Sequence, residues 1–150
     1  MKLSTKSRYA VTAMIDLAQN QKGTVSLKDI SDRQSISLPY LEQIFCKLKN
    51  FGIVISQRGP GGGYVMGKKS SEITLYEIVT AVDENIDQTQ CGGSMNCKKD
   101  KPCSTHHVWT GLNEIISDYM KNITIDDVVS KKDTHSIYDA RENGNYVSEY

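Results

Sequence analysis

The chain has 150 residues, of which 38% are hydrophobic and 24% charged, and its net charge is zero. This length allows one domain with a hydrophobic core, or a small domain with an oligomerisation arm, and the composition excludes disordered and fibrous classes. No apolar run reaches the roughly 18 to 20 residues of a membrane span, and the amino terminus lacks the apolar segment of a signal peptide. We therefore expect a cytoplasmic protein without a membrane partner.

The two halves of the chain carry opposite charges. Residues 1–70 contain eleven Lys or Arg and four Asp or Glu, a net charge of +7, whereas residues 71–150 contain seven and fourteen, a net charge of −7. A basic half of this kind favours a polyanionic partner, although a chance distribution of surface charge is the alternative.

Three helices are predicted in the first half. Helical spacing of apolar residues predicts a helix from Ser7 to about Asn20, and Ser26 begins a second helix that ends at Gln34. Ser37 is the candidate N-cap of a third helix, with Pro39 in its first turn. The buried stripe of this third helix is predicted to contain Leu38, Leu41, Ile44, Phe45 and Leu48.

A hairpin is predicted after the third helix. One strand runs from residue 53 to 57, a second begins at residue 64, and a glycine-rich turn joins them. Glycines such as Gly59 and Gly61 let the backbone approach a surface closely, and Arg58 with neighbouring amides can contact phosphate or enter a narrow minor groove. Three helices and a hairpin make a winged helix, so the turn is predicted to bind DNA; a plain hairpin turn is the alternative.

The second half is predicted to contain a long loop between two helices. Thr74 and Glu77 form a capping box for a helix that runs to about Glu84, and a functional loop over residues 85–104 follows. The helix from about Thr105 to Asn122 has an apolar stripe of four turns. The stripe consists of Val108, Trp109, Leu112, Ile115, Ile116, Tyr119 and Met120. So long a stripe needs a partner, which we predict to be a second copy of the chain; packing on its own domain is the alternative.

Three of the four cysteines are concentrated in this loop. Cys91, Cys97 and Cys103 are separated by five residues each, and His106 follows Cys103 after two more. Thiolates suit iron-sulfur clusters, zinc and copper(I), and an imidazole completes a set of four ligands. Structural zinc sites favour cysteines two to four residues apart, so the spacing favours a cluster over zinc or a redox-active thiol group. Cys46, on the third helix, is interpreted as a small buried hydrophobe.

Several segments together resemble a family of bacterial winged-helix regulators that control iron-sulfur cluster assembly. These segments are LSTKSRYAVTAM, ISLPYLEQIF, RGPGGGY, EIVTAVDE and the cysteine loop with its histidine, and they extend nearly end to end. The resemblance implies that Cys91, Cys97, Cys103 and His106 hold a 2Fe-2S cluster. Relatives that sense nitric oxide lack the histidine, so His106 favours the assembly regulators; His107 is the alternative imidazole ligand.

The resemblance also places part of the third helix in the major groove of double-stranded DNA. The residues concerned are Ser37, Tyr40, Glu42 and Gln43. Gln43 can donate and accept at an adenine edge, while Tyr40 and Ser37 suit phosphate. Glu42 repels phosphate and accepts only from donors such as cytosine N4, so it would select against some sites; an ordinary solvated glutamate is the alternative. Pro39 departs from the family pattern, which has a small hydroxyl residue there.

The predicted fold class is therefore mainly α with a small β hairpin. A winged helix-turn-helix DNA-binding domain is expected over residues 1–68, and a cluster-binding loop with a long dimerisation helix over residues 69–130. A short helix begun by Thr124 and Asp127 closes the second region. Residues 131–150 have no apolar period and are predicted to form a flexible tail.

These features predict a homodimeric transcription regulator rather than an enzyme. By resemblance, the cluster-bound dimer represses genes for iron-sulfur cluster assembly at promoter DNA and receives its cluster from the assembly machinery. Because a mixed ligand set makes the cluster easier to lose, we hypothesise that cluster occupancy, and not only oxidation state, is the signal. The alternatives are a sensor of nitric oxide, iron or redox state, and a zinc-stabilised DNA-binding module. Cys103 and His106 could imitate a nucleophile and base, but no accompanying acid or oxyanion feature is visible.

Overall fold

The computed structural model describes residues 3–82 and 85–145, with side chains described up to residue 140. Its elements are α1 (Thr5–Gln19), α2 (Leu27–Gln34), α3 (Leu38–Asn50), β1 (Val54–Gln57), β2 (Gly63–Met66), α4 (Leu75–Ala81), α5 (His106–Asn122), α6 (Ile125–Val129) and α7 (Thr134–Asn145). A short 3-10 turn, Ser70–Glu72, precedes α4. This architecture confirms the predicted fold class; the predicted end of α4 near Glu84 lies outside the described residues. Over the described ranges, no helix is long and apolar enough to cross a bilayer.

Side-chain caps begin three of the described helices, α2, α4 and α6, at the residues that the sequence predicts. Ser26 caps α2 by accepting a hydrogen bond from the N–H of residue 29 at 3.1 Å. Thr74 with Glu77, and Thr124 with Asp127, form complete capping boxes at α4 and α6. Each cap satisfies backbone donors that the first turn of a helix leaves unpaired.

The start of α3 differs from the prediction. Ser37 occupies the N-cap position, but within the described residues its side chain makes no capping hydrogen bond. A capping side chain bonds the N–H of the second or third helical residue, and the second residue of α3 is Pro39, which has no N–H. Leu38, predicted to be buried, is 36% exposed, and the buried stripe of α3 begins at Leu41.

One hydrophobic core joins the winged helix to the helices that follow it. Helix α1 packs against α2, α3, α4 and α6. The cluster of buried side chains includes Met14 and Leu17 from α1, Phe45 from α3, Ile78 from α4 and Ile125 from α6. Helices α4 and α6 therefore share the core that holds α3 in place.

The hairpin is held to the rest of the domain by one additional backbone pairing. Strands β1 and β2 are antiparallel, with residues 54–57 paired to residues 66–63. Val25, just before α2, exchanges hydrogen bonds of 2.9 and 2.8 Å with Tyr64 of β2. This bridge anchors the hairpin, which is the wing of the winged helix, beside α2 and α3.

The glycines of the wing serve two purposes. A Cβ at Gly63 would lie 2.5 Å from the carbonyl oxygen of Val25, and one at Gly67 would lie 2.2 Å from that of Gly52. These two positions therefore require glycine because the backbone packs on the protein itself. Gly59 and Gly61, at the tip, instead have φ angles of 97° and 70°, which favour glycine.

The predicted flexible tail, residues 131–150, contains helix α7 in its described part. The side chain of Asp133 accepts hydrogen bonds in the first turn of α7, as a capping residue does. Tyr119 of α5 donates its hydroxyl to Thr134 at 3.0 Å, and its ring lies 5.2 Å from the ring of Tyr138. These contacts with α5 support a helix whose own apolar periodicity is weak. Residues 146–150 lie outside the described part.

An ion pair between the buried Asp16 and the exposed Arg33 joins α1 to α2. Asp16 is only 2% exposed and accepts hydrogen bonds from the guanidinium of Arg33 at 2.7 and 3.0 Å and from the amide of Gln34 at 2.8 Å. Burial by itself raises the pKa of Asp16, but the hydrogen bonds from Arg33 and Gln34 and the charge of Arg33 together outweigh it and hold the pKa below its ordinary value. The ionised carboxylate therefore stabilises the folded state.

We expect Asp16→Asn to lower the free energy of unfolding at pH 7 by about 1–3 kcal/mol, because it weakens hydrogen bonds to a buried group. Since the folded pKa of Asp16 is lowered, its contribution is complete above the unfolded pKa of about 3.9 and is lost as pH falls through the folded pKa. Urea denaturation at pH 7 and at acid pH measures the difference. Asp32→Asn, which removes an exposed pair with Lys28, is the control and should change stability by less than about 0.5 kcal/mol. A wild-type-to-variant difference that does not shrink at acid pH would contradict this account.

Candidate metal centre and nucleic-acid interface

The cysteine loop folds back over the first turn of α5 and borders a partly open cavity of about 390 Å³. His106, the first residue of α5, is 8% exposed. The lining residues are Gln88, Thr89, Gln90, Cys91, Cys97, Cys103, Thr105, His106 and Trp109. All four predicted ligands therefore face one cavity.

Three of these ligands already form a compact group. The donor atoms of Cys91, Cys97 and His106 all lie within 4.8 Å of one another. The Nδ1 atom of His106 is 3.5 Å from the Sγ atom of Cys91 and 3.7 Å from that of Cys97. Two thiols and an imidazole at this separation can bind a thiophilic metal.

Cys103 lies beside this group. Its backbone N–H donates a hydrogen bond to the Sγ atom of Cys97 at 2.9 Å, and its own Sγ atom is 3.6 Å from the hydroxyl of Thr105. His107 is exposed, whereas His106 faces the thiols. The arrangement thus gives His106, and not His107, access to the cysteines.

Hydrogen bonds alter the acidity of the three thiols. Partial burial raises the pKa of Cys91, but hydrogen bonds from Thr89 and from backbone N–H groups of the loop outweigh it and lower the pKa to about 7. The hydroxyl of Thr105 lowers the pKa of Cys103. The pKa of Cys97 is raised: the N–H of Cys103 lowers it, but burial and the neighbouring thiols outweigh that hydrogen bond. A lowered thiol pKa favours the thiolate, which is the form that binds metals.

A tight turn between Cys97 and Cys103 brings these two residues together. Residues 98 and 101 exchange two backbone hydrogen bonds of 3.0 Å. The central residues, Lys99 and Asp100, have φ angles of 44° and 62°, in the left-handed region. Asn-Gly and Asp-Gly are the usual signals for such a turn, so the pair Lys-Asp did not predict it.

Polar residues that the sequence did not predict hold the first arm of the loop, residues 86–93. Asp87 accepts hydrogen bonds from the backbone N–H and the hydroxyl of Thr89, and these bonds together with Asn113 hold its pKa below the ordinary value. Asn113 of α5 donates to Asp87 at 2.7 Å. The pattern Asp-x-Thr is a local signal for an Asx-turn, but the contact with α5 has no sequence signature.

The predicted DNA-binding residues of α3 lie on its outward side. Ser37, Glu42 and Gln43 are exposed, and the half-buried Tyr40 packs edge-on against Tyr9 with ring centroids 5.6 Å apart. A shallow groove on this side is lined by Lys6, Pro39, Glu42, Gln43, Cys46 and Lys47. Glu42 therefore shares its surface with two lysines.

Cys46 is exposed, which corrects its interpretation as a buried hydrophobe. It follows the buried Phe45 by one residue, and one residue turns a helix by about 100°. Cys46 instead follows Glu42 and Gln43 by four and three residues, so it lies on their polar face.

The tip of the wing presents backbone and one charged side chain to solvent. Arg58, Gly59 and Gly61 are all exposed. The carbonyl of Gly61 accepts a hydrogen bond from the hydroxyl of Thr24, in the segment before α2. The predicted contact residues of α3 and of the wing are thus accessible to a partner.

Residues 3–131 match the Rrf2 family, described as an iron-dependent transcriptional regulator. The chain belongs to the Rrf2 family. Among curated relatives, it is 49% identical over 144 residues to the HTH-type transcriptional regulator IscR of Serratia proteamaculans, covering 95% of this chain and 88% of that protein. It is 47% identical over 143 residues to IscR of Pectobacterium atrosepticum, covering 95% and 87%. The resemblance to regulators of this family is therefore confirmed.

Solved structures of Rrf2 regulators share the fold. CymR, the global cysteine regulator of B. subtilis, matches with a TM-score of 0.75 and 32% identity over 89% of this chain and 99% of that chain. IscR of T. potens matches with a TM-score of 0.73 and 36% identity over 87% and 88%. The protein is accordingly a winged-helix transcription regulator and not an enzyme, as predicted.

Proposed function

We propose that this Rrf2 regulator is a homodimer that represses genes for iron-sulfur cluster assembly when it holds a 2Fe-2S cluster. Cys91, Cys97, Cys103 and His106 are the proposed ligands. The observation that carries the proposal is the convergence of two thiols and the His106 imidazole in one cavity, with Cys103 beside them. The regulators it resembles are iron-dependent, which agrees with this donor set.

The donor set fits an iron-sulfur cluster on chemical grounds. Thiolates are the usual ligands of such clusters. An imidazole in place of a thiolate raises the reduction potential of the cluster, because imidazole is neutral. The backbone N–H of Cys103 bonded to Cys97 is the kind of hydrogen bond to sulfur that adjusts a cluster's potential. A cluster at this site would make the state of the protein depend on the supply of iron and sulfide. The proposed signal is whether the site holds a cluster, and not only the oxidation state of that cluster. The proposed donor of the cluster is the cluster assembly machinery.

The winged helix is the proposed DNA-binding part, over residues 1–68. Its charge is basic, whereas the rest of the chain is acidic, and a basic surface favours the phosphate backbone. Ser37, Tyr40, Glu42 and Gln43 of α3 are the proposed major-groove and phosphate contacts. Arg58, Gly59 and Gly61 are the proposed wing contacts.

Residues 69–130 are proposed to carry both the cluster and the dimer interface. Val108, Trp109 and Ile115 of α5 are exposed in the isolated chain, although all three are large and apolar. A second copy of α5 is the proposed partner, since a dimer reads two half-sites of double-stranded promoter DNA.

The ligand assignment is tested on protein purified without oxygen. We expect red-brown protein with about two iron and two acid-labile sulfide per subunit, as a 2Fe-2S cluster requires. His106→Ala should alter the visible spectrum, because it removes the only non-thiolate ligand proposed. His107→Ala, its exposed neighbour, is the matched control and should leave the spectrum unchanged. Colourless wild-type protein with stoichiometric zinc, or an effect of His107→Ala equal to that of His106→Ala, would count against the assignment.

The DNA-binding part of the proposal is tested separately by selecting duplexes from a random library with cluster-loaded and cluster-free protein. The loaded protein should enrich a two-fold symmetric site that the cluster-free protein binds more weakly. Identical enrichment by both forms would mean that the cluster does not control that site.

A further inference from the structure

A continuous set of hydrogen bonds connects α5 to the arm of the loop that carries Cys91. The Oδ1 atom of Asp87 accepts from the N–H of Thr89 at 2.7 Å, from its hydroxyl at 2.6 Å and from the side-chain amide of Asn113 at 2.7 Å. Asn113 in turn accepts from the N–H of Gln88 at 2.8 Å. The hydroxyl oxygen of Thr89 accepts from the N–H of Gly93 at 2.9 Å. Cys91 lies in the middle of the segment between Thr89 and Gly93.

We propose that Asp87 is a positioning residue for the cluster. Its hydrogen bonds attach the first arm of the loop, residues 86–93, to Asn113 of α5 and so position Cys91. This inference rests on the proposed function, in which Cys91 is a cluster ligand. Asp87 itself does not touch the ligand group: it orients Thr89, and Thr89 holds the turn that begins at Cys91. His106 is on the same helix as Asn113, so the fastening sets the position of Cys91 relative to His106.

The long-range contact distinguishes this arrangement from an ordinary turn. An Asx-turn made by Asp87 and Thr89 alone is local and could form in any orientation. Asn113 is 26 residues away from Asp87, and its two hydrogen bonds attach the turn to a rigid helix. Loop residues tied to a helix lose less entropy when they bind a ligand, so a pre-attached arm should retain a cluster longer.

Asp87 could instead act through its charge on His106, and one substitution separates the two roles. Asp87→Asn keeps an Oδ1 acceptor for Thr89 and Asn113 but removes the charge. Asp87→Ala removes the acceptor and the charge together. A positioning role predicts rescue by asparagine, whereas a role of charge alone predicts that both variants behave alike.

The test measures cluster release and loop protection in wild type, Asp87→Ala, Asp87→Asn and Asn113→Ala. Cluster release is the decay of visible absorbance after a chelator is added to anaerobic, cluster-loaded protein. We expect release about 10- to 100-fold faster in Asp87→Ala and Asn113→Ala, because removing groups that orient metal ligands usually lowers metal affinity by about that factor. Asp87→Asn should lie much closer to wild type. Asp118→Ala, an exposed carboxylate on α5, is the matched control and should release at the wild-type rate.

The second readout does not need a cluster. Amide hydrogen exchange over residues 86–93 of cluster-free protein should be faster in Asp87→Ala than in wild type. The N–H of Thr89 loses its acceptor, and the Thr89 hydroxyl, which accepts from the N–H of Gly93, loses the carboxylate that orients it. Wild-type release rates together with wild-type exchange in Asp87→Ala would overturn the positioning role while the proposed function stands. If wild-type protein takes up no cluster, the proposed function fails, and unchanged exchange in the variant would then overturn the fastening as well.

Discussion

Replacing Phe45 by alanine is expected to lower the free energy of unfolding by about 3–5 kcal/mol, the usual cost of truncating a buried aromatic side chain. Phe45 is 0% exposed, and its ring packs edge-on against Tyr64 of the wing with centroids 4.9 Å apart. It therefore joins α3, which carries the proposed base contacts, to the hairpin. Urea denaturation should show a lower midpoint with an unchanged slope.

Phe51 provides the matched control for this prediction. It follows α3 directly and is 61% exposed, so Phe51→Ala should change stability by less than about 0.5 kcal/mol. Equal losses of stability in the two variants would show that Phe45 does not form the core contact described above. DNA binding should weaken in Phe45→Ala in parallel with the population of folded protein.

Cys97→Ala is expected to abolish cluster loading, so that iron and acid-labile sulfide fall to background under anaerobic reconstitution. Cys97 contacts two of the other proposed ligands: its Sγ atom faces His106 and accepts from the N–H of Cys103. An alanine at this position removes one proposed ligand atom, the Sγ of Cys97. It also removes the acceptor of the Cys103 N–H. Visible absorbance and iron analysis measure the loss.

Cys46→Ala is the control for this substitution. Cys46 is exposed on α3, outside the cysteine loop, so its removal should leave iron and sulfide content unchanged. Circular dichroism should be unchanged in both variants, since neither cysteine is part of the hydrophobic core. Normal cluster loading by Cys97→Ala, or loss of the cluster in Cys46→Ala, would contradict the assignment of ligands.

The positions of the shorter helices and of α1 were the features most accessible to prediction, because they depend on local signals. Apolar spacing and the capping residue Ser26 were enough to predict the ends of α1 and α2 to within two residues. The complete capping boxes at Thr74 and Thr124 likewise placed the starts of α4 and α6. Such signals act within one helical turn, so they survive without knowledge of the rest of the chain.

Predictions that depended on which side of a helix faces the core were less successful. Cys46 and Leu38 were both predicted to be buried and are both exposed. Whether a residue at the margin of an apolar stripe is covered depends on where the neighbouring helices end, and periodicity carries no information about that.

The sequence by itself determined the family resemblance, the order of the elements as far as α6 and the set of four candidate ligands, because spacing and residue type carry that information. Only the tertiary structure decided that His106 rather than His107 faces the thiols, that a Lys-Asp turn brings Cys103 to Cys97, and that α7 packs on α5. It also decided the attachment of Asp87 to Asn113. Each of these features depends on contacts between residues that are distant in the chain, or on a backbone conformation that such contacts stabilise. A local sequence pattern does not encode long-range contacts or the conformations that depend on them.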